Sequence, residues 1–380
     1  TGIGKSYLVR QTAKRICEYL NKTGKYQLQY SEKREHINSP DHFCLIDIRI
    51  SLMDPSDLRG IPFPGGKNND TAVWLRPDWF PYQGQGIIFF DEINLAPPMV
   101  QSAAYQLILD RKLGLFELPE GYAILAAGNR EEDSFVVQQM APPLRNRFTH
   151  VILEIPDAER WCAWAHANKI DPRIIAFISW KPSALFKFDE TSTDYAFPTP
   201  RAWAALSKLI EDIDVYDINT KYNKFRNQDG SIGNAYGLIT MLAIGAVGQA
   251  YGFEFGQFIK YTESIPSAEE ILKDPLGIKI QTDDPGMLYA IVGNLTYYVN
   301  KAVEKMEGDN ERLLKEGLNM VVNAFKFLER TGPEYAHIGI MSLRNTDNIR
   351  VKVNGQEKSL FDLAVEECAD IVIRHAKYLT

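Results

Sequence analysis

A lysine, two adjacent acids and an amide stand at separate points of the chain where they could together act on a phosphate group. The chain begins TGIGKSYLVR, and Gly4, Lys5 and Ser6 match the end of the motif G-x-x-x-x-G-K-[ST]. In that motif, backbone N–H groups at a helix N-terminus surround phosphate oxygens, the lysine neutralises their charge and the hydroxyl binds magnesium. A Gly-Lys-Ser turn before a helix also occurs without any such role, so the tripeptide alone leaves both interpretations open.

Two carboxylates follow an apolar run about 85 residues after the lysine. In IIFFDEIN, Ile87 to Phe90 predict a buried strand whose carboxyl end presents Asp91 and Glu92. Open α/β sheets bind ligands at the carboxyl ends of their strands. There, Asp91 would hold the shell of a magnesium ion and Glu92 would polarise an attacking water. The alternative is a solvated acidic turn.

Side chains able to sense or neutralise phosphate charge come later in the chain. YAILAAGNR predicts another buried strand ending at Asn129, whose amide could hold a water or sense a γ-phosphate, or could simply form a turn. In PPLRNRFTHV, Arg145 and Arg147 could reach across a subunit boundary to a phosphoryl group, or could form surface ion pairs. In FPTPRAW, Thr199 predicts a helix cap, and Arg201 opposes the helix dipole unless it meets an anion.

The elements that must position these residues fall into two regions. Up to about residue 155, short and nearly continuous apolar runs alternate with helical patterns, which predicts a parallel sheet covered by helices on both faces. From about Asp157 onward, helical patterns punctuated by proline and glycine dominate. We therefore predict an α/β domain in residues 1–156 and a mainly helical region in residues 157–380. The predicted strands of the first region are FCLIDIRI, GIIFFDEIN, YAILAAGN and HVILEI.

Two segments of the second region carry specific expectations. The stretch from Leu238 to Gly252 is shorter than the ~20 residues that span a bilayer, and it predicts a buried helix. The segment IRVKVNGQEKSL contains an Asn-Gly pair, which predicts a small hairpin. The N-terminal residues lack the layout of a signal peptide, and we expect no membrane insertion.

Composition narrows the range of partners and compartments. The formal net charge of −7 argues against a dedicated nucleic-acid binder, which usually shows a clustered basic excess. The four cysteines are scattered and form no CxxC pair. This pattern predicts reduced, buried thiols in a cytoplasmic protein, and neither a zinc site nor a disulfide framework.

The order of the motifs resembles that of AAA+ ATPases. GKS matches the end of Walker A, FFDEIN Walker B, AAGN sensor 1, LRNRF the arginine finger and TPRAW sensor 2. Within that group the chain is most similar to the MoxR branch and its dynein-related neighbours, over residues 1–210, in stretches such as DLRGIPFPG and FFDEINLAPPMVQSAAYQLILDRKLG. The first Walker A glycine and its preceding strand would lie before residue 1, so we expect the native protein to begin earlier.

The resemblance implies a P-loop NTPase core, followed by a helical lid, that hydrolyses ATP with magnesium. It implies that Lys5 and Ser6 bind phosphate and metal, that Asp91 binds the metal, and that Glu92 acts on the attacking water. The other nucleotide contacts expected from the first segment are Thr1, Gly2, Ile3, Gly4 and Tyr7.

The resemblance also implies a ring, with six subunits expected, in which neighbouring subunits share sites. Asn129 would be sensor 1 and Arg201 sensor 2. Arg147 is the preferred finger, because an arginine directly before phenylalanine fits the family pattern best, and Arg145 is the second candidate. MoxR-like proteins carry a pore-facing insertion at the position of residues 57–81. Trp74, Trp79 and Phe80 in it either grip a partner or pack against their own domain.

Three functions follow as hypotheses. We favour ATP-driven remodelling of a partner protein, which in this family often carries a von Willebrand A-type domain. The second is a nucleic-acid motor, such as a nucleotidase subunit of a restriction system, for which Lys67, Arg76 and Arg111 are the local candidates. The third is a nucleotide-gated scaffold with little hydrolysis, against which the presence of Glu92 and both candidate finger arginines argues.

Overall fold

The structure is a computed structural model that describes residues 2–65, 67, 70–129, 140–189, 193–213, 235–260, 266–280, 284–353 and 355–375. Within these ranges the chain divides into two compact units. The first comprises residues 3–154 and the second residues 155–380, with Gly2 grouped with the second by its contacts.

The first unit contains a four-stranded parallel sheet. Its strands are β1 (Gln29–Ser31), β2 (His42–Arg49), β5 (Gln85–Asp91) and β8 (Tyr122–Ala126), in the spatial order β1-β2-β5-β8. In the register of β2 and β5, Arg49 lies opposite Asp91, so both strands end at the same edge of the sheet. The remaining elements of this unit are α1 (Lys5–Lys22), α2 (Pro55–Arg59), β3 (Ile61–Gly65), β4 (Thr71–Leu75), α3 (Pro98–Asp110), β6 (Lys112–Leu113), β7 (Phe116–Glu117) and α4 (Pro142–Arg145).

Helices cover both faces of this sheet, as the apolar runs predict. On one face, Leu45 and Phe89 pack in a cluster with Ala13 and Cys17 of α1. On the other face, alternate residues of the same strands pack against α3. Because both faces are buried, the strands need apolar side chains at nearly every position, which explains why they read as continuous apolar runs. The prediction of a mixed α/β fold with a helix-flanked parallel sheet is confirmed.

The fourth predicted strand, HVILEI, is absent. Residues 149–156 have no regular secondary structure, and the side chains of Val151 and Ile152 are 86% and 73% exposed. In the part of the chain that is described, β8 pairs with β5 and with no second strand. Because a strand requires a hydrogen-bonding neighbour as well as apolar side chains, the local pattern alone was not sufficient and the prediction was wrong.

The apolar stretch from Leu238 to Gly252 forms parts of two helices. They are α8 (Ala235–Val247) and α9 (Gln249–Lys260), and they meet at Gly248, whose φ of +88° a residue with a Cβ rarely adopts. The prediction of a buried helix here is correct in type but wrong in continuity, and the stretch is only partly buried, since Met241 is 61% exposed. Among the described residues, no helix is long and apolar enough to cross a bilayer.

The inserted segment in residues 57–81 divides between core and surface. Trp79 and Phe80 are buried, and the Trp79 indole N–H donates to the Asp57 carbonyl at 3.0 Å. These two aromatics therefore pack against their own unit. Trp74 lies instead on the antiparallel hairpin of β3 and β4 and is 41% exposed.

The second unit is mainly helical. Its antiparallel pair, β9 (Arg350–Val353) with β10 (Gln356–Ser359), confirms the predicted hairpin. Arg173 in this unit is fully buried and pairs with Asp171 at 2.6 Å, so the charge that it carries is compensated. The other helices are α5 (Ala158–Ala167), α6 (Pro172–Trp180), α7 (Pro200–Ile210), α10 (Ala268–Lys273), α11 (Pro285–Glu304), α12 (Asn310–Arg312), α13 (Leu318–Leu328), α14 (Pro333–Leu343), α15 (Leu360–Glu367) and α16 (Ala369–His375).

All four cysteines are buried and unbridged, as predicted. Burial raises the pKa of Cys44 and of Cys162 to about 11. Because the thiolate is the reactive form, these two thiols are poor nucleophiles at neutral pH. The prediction of structural thiols is therefore confirmed for the cysteine positions in both units.

His166 is a buried histidine in the second unit. Its Nδ1 lies 3.4 Å from the Ser342 hydroxyl oxygen. Burial, with a smaller contribution from His337, lowers the pKa of His166 to about 3. The histidine is therefore neutral in the folded protein at neutral pH, whereas an unfolded chain protonates it near pH 6.5.

This difference predicts acid sensitivity of the second unit. Between pH 6.5 and pH 3 the unfolded state binds the additional proton, so stability falls as the pH falls, by about 2 kcal/mol at pH 5 relative to pH 8. Urea unfolding followed by tryptophan fluorescence at both pH values measures this loss. We expect His166→Gln to reduce the difference and the exposed His150→Gln to leave it unchanged; an equal pH dependence in all three proteins would contradict the assignment.

Candidate functional site

The lysine at the start of α1 contacts the end of β8. Lys5 Nζ donates to Asn129 Oδ1 at 2.5 Å and to the Gly128 carbonyl at 2.8 Å. The two partners follow β8 directly, 123 and 124 residues away along the chain. The structure therefore brings together the ammonium and the amide that the sequence analysis selected independently.

The hydroxyl that follows the lysine contacts the end of β5. Ser6 Oγ donates to Asp91 Oδ2 at 2.7 Å, and the other carboxylate oxygen, Oδ1, accepts from the Glu92 backbone N–H at 3.0 Å. All three residues are half-buried. A hydroxyl and a carboxylate oxygen placed side by side are the kind of oxygen ligands that Mg²⁺ accepts, with water and phosphate oxygens completing its shell.

Glu92 has a backbone conformation that is unusual for its residue type. Its φ of 59° and ψ of 37° lie in the left-handed region, which costs a residue other than glycine about 1–2 kcal/mol. Its carboxylate Oε2 accepts a hydrogen bond from Ser51 Oγ at 2.8 Å. Strain of this kind persists where surrounding contacts enforce it, and it concentrates at functional sites.

Ser51 is a site residue that the sequence analysis missed. It follows β2, whose last residue, Arg49, lies opposite Asp91 in the sheet register. Its position just beyond the end of a predicted strand was the available signal. A serine there also fits an ordinary turn, so residue type alone did not separate the two roles.

The segment before α1 has the backbone freedom that a phosphate cradle needs. Gly2 and Gly4 have φ values of 76° and 93°, and a Cβ at Gly4 would meet no atom within 4 Å. Among the described residues no side chain caps α1, and its first turn holds no acid, so the acid near the positive end of the helix dipole comes from outside the helix, as the Asp91 carboxylate bonded to Ser6. Ile3 is half-buried and Tyr7 is exposed. Gly2 is grouped with the second unit, and Thr1 lies outside the described residues.

Arg10, a second cation on α1, forms ion pairs within the first unit. Arg10 contacts Asp47 at 2.7 Å and Glu32 at 3.0 Å, which ties the helix to the sheet. Burial raises the pKa of Asp47, while Arg10 opposes this shift and the nearby Asp91 adds to it. Asp47 and Asp91 therefore lie close enough to interact, and Arg10 offsets part of the negative charge beside the site.

Within the described ranges, the two candidate finger arginines form no hydrogen bond or ion pair with Lys5, Ser6, Asp91 or Asn129. Arg145 ends α4, Arg147 lies two residues further, and both are exposed. Thr199 caps α7 as predicted, with its side chain accepting from the Ala202 N–H, and Arg201 is the second residue of that helix. Arg201 belongs to the second unit, whereas Lys5, Ser6, Asp91 and Asn129 all belong to the first.

Two of the three candidate nucleic-acid contacts have structural roles. Arg111 donates to the carbonyls of Pro119 and Tyr122 at 2.8 and 2.7 Å. The Arg76 guanidinium lies 4.3 Å from the centroid of the Tyr82 ring. Lys67 is exposed.

A cleft of about 150 Å³ lies in the second unit and contains none of the predicted site residues. Lys301 on its wall pairs with Glu304 at 3.1 Å and with Glu211 at 3.6 Å. Lys301 is therefore already engaged by carboxylates of the cleft. The convergence of Lys5, Ser6, Asp91 and Asn129 at the sheet edge is chemically more specific than this cleft.

Comparison of the chain with protein-family models, with curated proteins and with solved structures gave no match.

Proposed function

We propose that the chain is a magnesium-dependent ATPase of the AAA+ type, similar to MoxR proteins, that assembles into a ring and remodels a partner protein. The convergence of four polar residues carries the proposal. Lys5 meets Asn129 and Ser6 meets Asp91, at the neighbouring carboxyl ends of β8 and β5. Open α/β sheets bind ligands at such an edge, and an N-terminal helix end there favours an anion.

The side chains fit the nucleotide and metal that this function needs. Lys5 would neutralise phosphate charge, and its present acceptors, Asn129 Oδ1 and the Gly128 carbonyl, hold its ammonium at the strand ends. Ser6 and Asp91 would supply oxygen ligands to Mg²⁺. The metal, when bound, would neutralise charge that develops on the phosphate oxygens.

Glu92 is the residue proposed to act on water. Its backbone conformation turns the chain directly after Asp91, and Ser51 holds its carboxylate through a hydrogen bond. From that position the carboxylate would accept a hydrogen bond from the attacking water and orient it. Asn129 would contribute its amide to the same end of the nucleotide.

An exposed apolar surface favours a protein partner over nucleic acid. On the hairpin of β3 and β4, Ile61 pairs with Leu75 and Phe63 with Val73, and all four side chains are exposed. Apolar surface marks protein contacts more often than contacts with a polyanion, which require basic residues. A partner with a von Willebrand A-type domain is the proposal that the family resemblance supports.

Replacement of the lysine tests the phosphate assignment. We expect Lys5→Ala to weaken ATP binding by about tenfold to hundredfold, because hydrogen bonds to charged groups contribute about 1.5–3 kcal/mol. Isothermal titration calorimetry with ATP and Mg²⁺ measures the change. Lys22→Ala, at the other end of the same helix, is the matched control; equal ATP affinity in both variants would remove Lys5 from the site.

Replacement of Glu92 separates binding from hydrolysis. We expect Glu92→Gln to keep ATP affinity and to lower turnover by about 10²–10⁴-fold, because the amide cannot act as a general base. A phosphate-release assay measures turnover, and the exposed Glu120→Gln serves as the control. Wild-type turnover in Glu92→Gln would exclude Glu92 from the mechanism.

The shared-site proposal predicts a specific pattern in mixtures of variants. Arg147→Ala alone is expected to abolish turnover, because a finger from the neighbouring subunit stabilises the transferring phosphoryl group. Mixed with Lys5→Ala, it is expected to regain activity at interfaces that combine one intact nucleotide site with one intact arginine. Arg145→Ala, tested in parallel, identifies which arginine acts, and no recovery in any mixture would contradict the shared site.

A further inference from the structure

The side chain of Asn94 contacts both backbone groups of Asn129. Its Nδ2 donates to the Asn129 carbonyl at 2.5 Å, and the Asn129 N–H donates to its Oδ1 at 3.1 Å. Asn94 is buried. A carboxamide supplies one acceptor and two donors in a plane, so it can pair with a peptide group as a neighbouring strand would.

The contact depends on a glycine at position 128. A Cβ there would lie 2.5 Å from Asn94 Oδ1 and 2.8 Å from its Cγ, which is closer than real Cβ atoms approach other atoms. The carboxamide therefore lies directly against the Gly128 backbone. A side chain at this position would displace Asn94 or move the chain that leads into Asn129.

The turn at Glu92 brings Asn94 to this position. Asn94 lies in the short 3₁₀ helix Ile93–Leu95, which begins immediately after Glu92. Backbone hydrogen bonds join the same two segments, from Ile93 N–H to the Ala127 carbonyl at 3.0 Å and from Ala127 N–H to the Phe90 carbonyl at 2.8 Å. The side chain of Asn94 adds two hydrogen bonds to this pairing, both to the backbone of Asn129.

We propose that Asn94 is a positioning residue that couples the turn carrying Glu92 to the sensor amide of Asn129. It fixes the backbone at residues 128 and 129, from which the two acceptors of Lys5 project. This inference rests on the proposed ATPase function. Asn94 acts through Asn129 and Glu92, so its loss should affect the rate of the chemical step more than nucleotide affinity.

Replacement by aspartate tests the coupling. Asn94→Asp keeps the shape and the acceptor but removes the donor and places a negative charge against the Asn129 carbonyl. We expect kcat to fall by about 10–100-fold with KM for ATP changed by less than about threefold, since small misplacements of reacting groups affect rate strongly. Steady-state kinetics with Mg-ATP on the full chain measures both.

The chain contains a matched control for this pairing. Asn21 Nδ2 donates to the Leu28 carbonyl at 2.8 Å, and the Leu28 N–H donates to Asn21 Oδ1 at 2.7 Å. Asn21→Asp therefore removes the same donor in the same unit, away from the site. We expect it to lower the melting temperature as Asn94→Asp does, but to leave kcat unchanged. A kcat in Asn94→Asp equal to that in Asn21→Asp would overturn the proposal.

A second variant covers the case in which Asn94→Asp does not fold. Gly128→Ala displaces the carboxamide without altering Asn94, and we expect the same fall in kcat at similar KM. The proposed function is judged separately, by wild-type turnover relative to Glu92→Gln. If the wild type shows no turnover above Glu92→Gln, the ATPase proposal and the role of Asn94 both fail. If wild-type turnover exceeds that of Glu92→Gln and Gly128→Ala has the same kcat as the wild type, the role of Asn94 is overturned while the ATPase proposal stands.

Discussion

The parallel sheet places the carboxyl ends of its strands at one edge, and the candidate site depends on this constraint. Asp91 and Asn129 are far from Lys5 and Ser6 in the chain, yet two hydrogen bonds of 2.5 and 2.7 Å connect them at that edge. Apolar burial on both faces holds the strands in register, and register determines which polar residues meet. The energy that forms the site thus comes mainly from residues that take no part in its chemistry.

Polar contacts around the site compensate for locally unfavourable features. The backbone of Glu92 lies in the left-handed region. Ser51 bonds its carboxylate, and the residues that follow it are fixed by hydrogen bonds from Ile93 N–H to Ala127 and from the Asn94 side chain to Asn129. Asp47 carries a charge opposed by burial, and Arg10 offsets that cost. Each feature costs stability in isolation, and each persists because the neighbouring contacts determine the geometry.

The inserted segment shows how one composition serves two purposes. Trp79 and Phe80 belong to the core beside Phe90, whereas Ile61, Phe63 and Trp74 of the hairpin remain exposed. The sequence left open whether Trp74, Trp79 and Phe80 contact a partner or pack against their own domain. A two-stranded hairpin has only one neighbour per strand, so its faces stay exposed unless another element covers them.

Much of the first unit could be predicted from the sequence. Apolar runs that end in charged or amide side chains predict the strands β2, β5 and β8 and the polar residues at their ends. The helical patterns between these runs predict the intervening helices. The strand predicted at HVILEI was wrong, because strand pairing depends on a partner that the local sequence does not specify. The contacts of Ser51 and Asn94 were missed for a related reason. Their partners depend on the left-handed turn at Glu92, which only the packed sheet enforces.

The sequence by itself determined which side chains are chemically competent and at which strand ends they stand. The tertiary structure alone decided which of them touch, because hydrogen bonds over 85 or 124 residues depend on register and turn geometry rather than on local pattern.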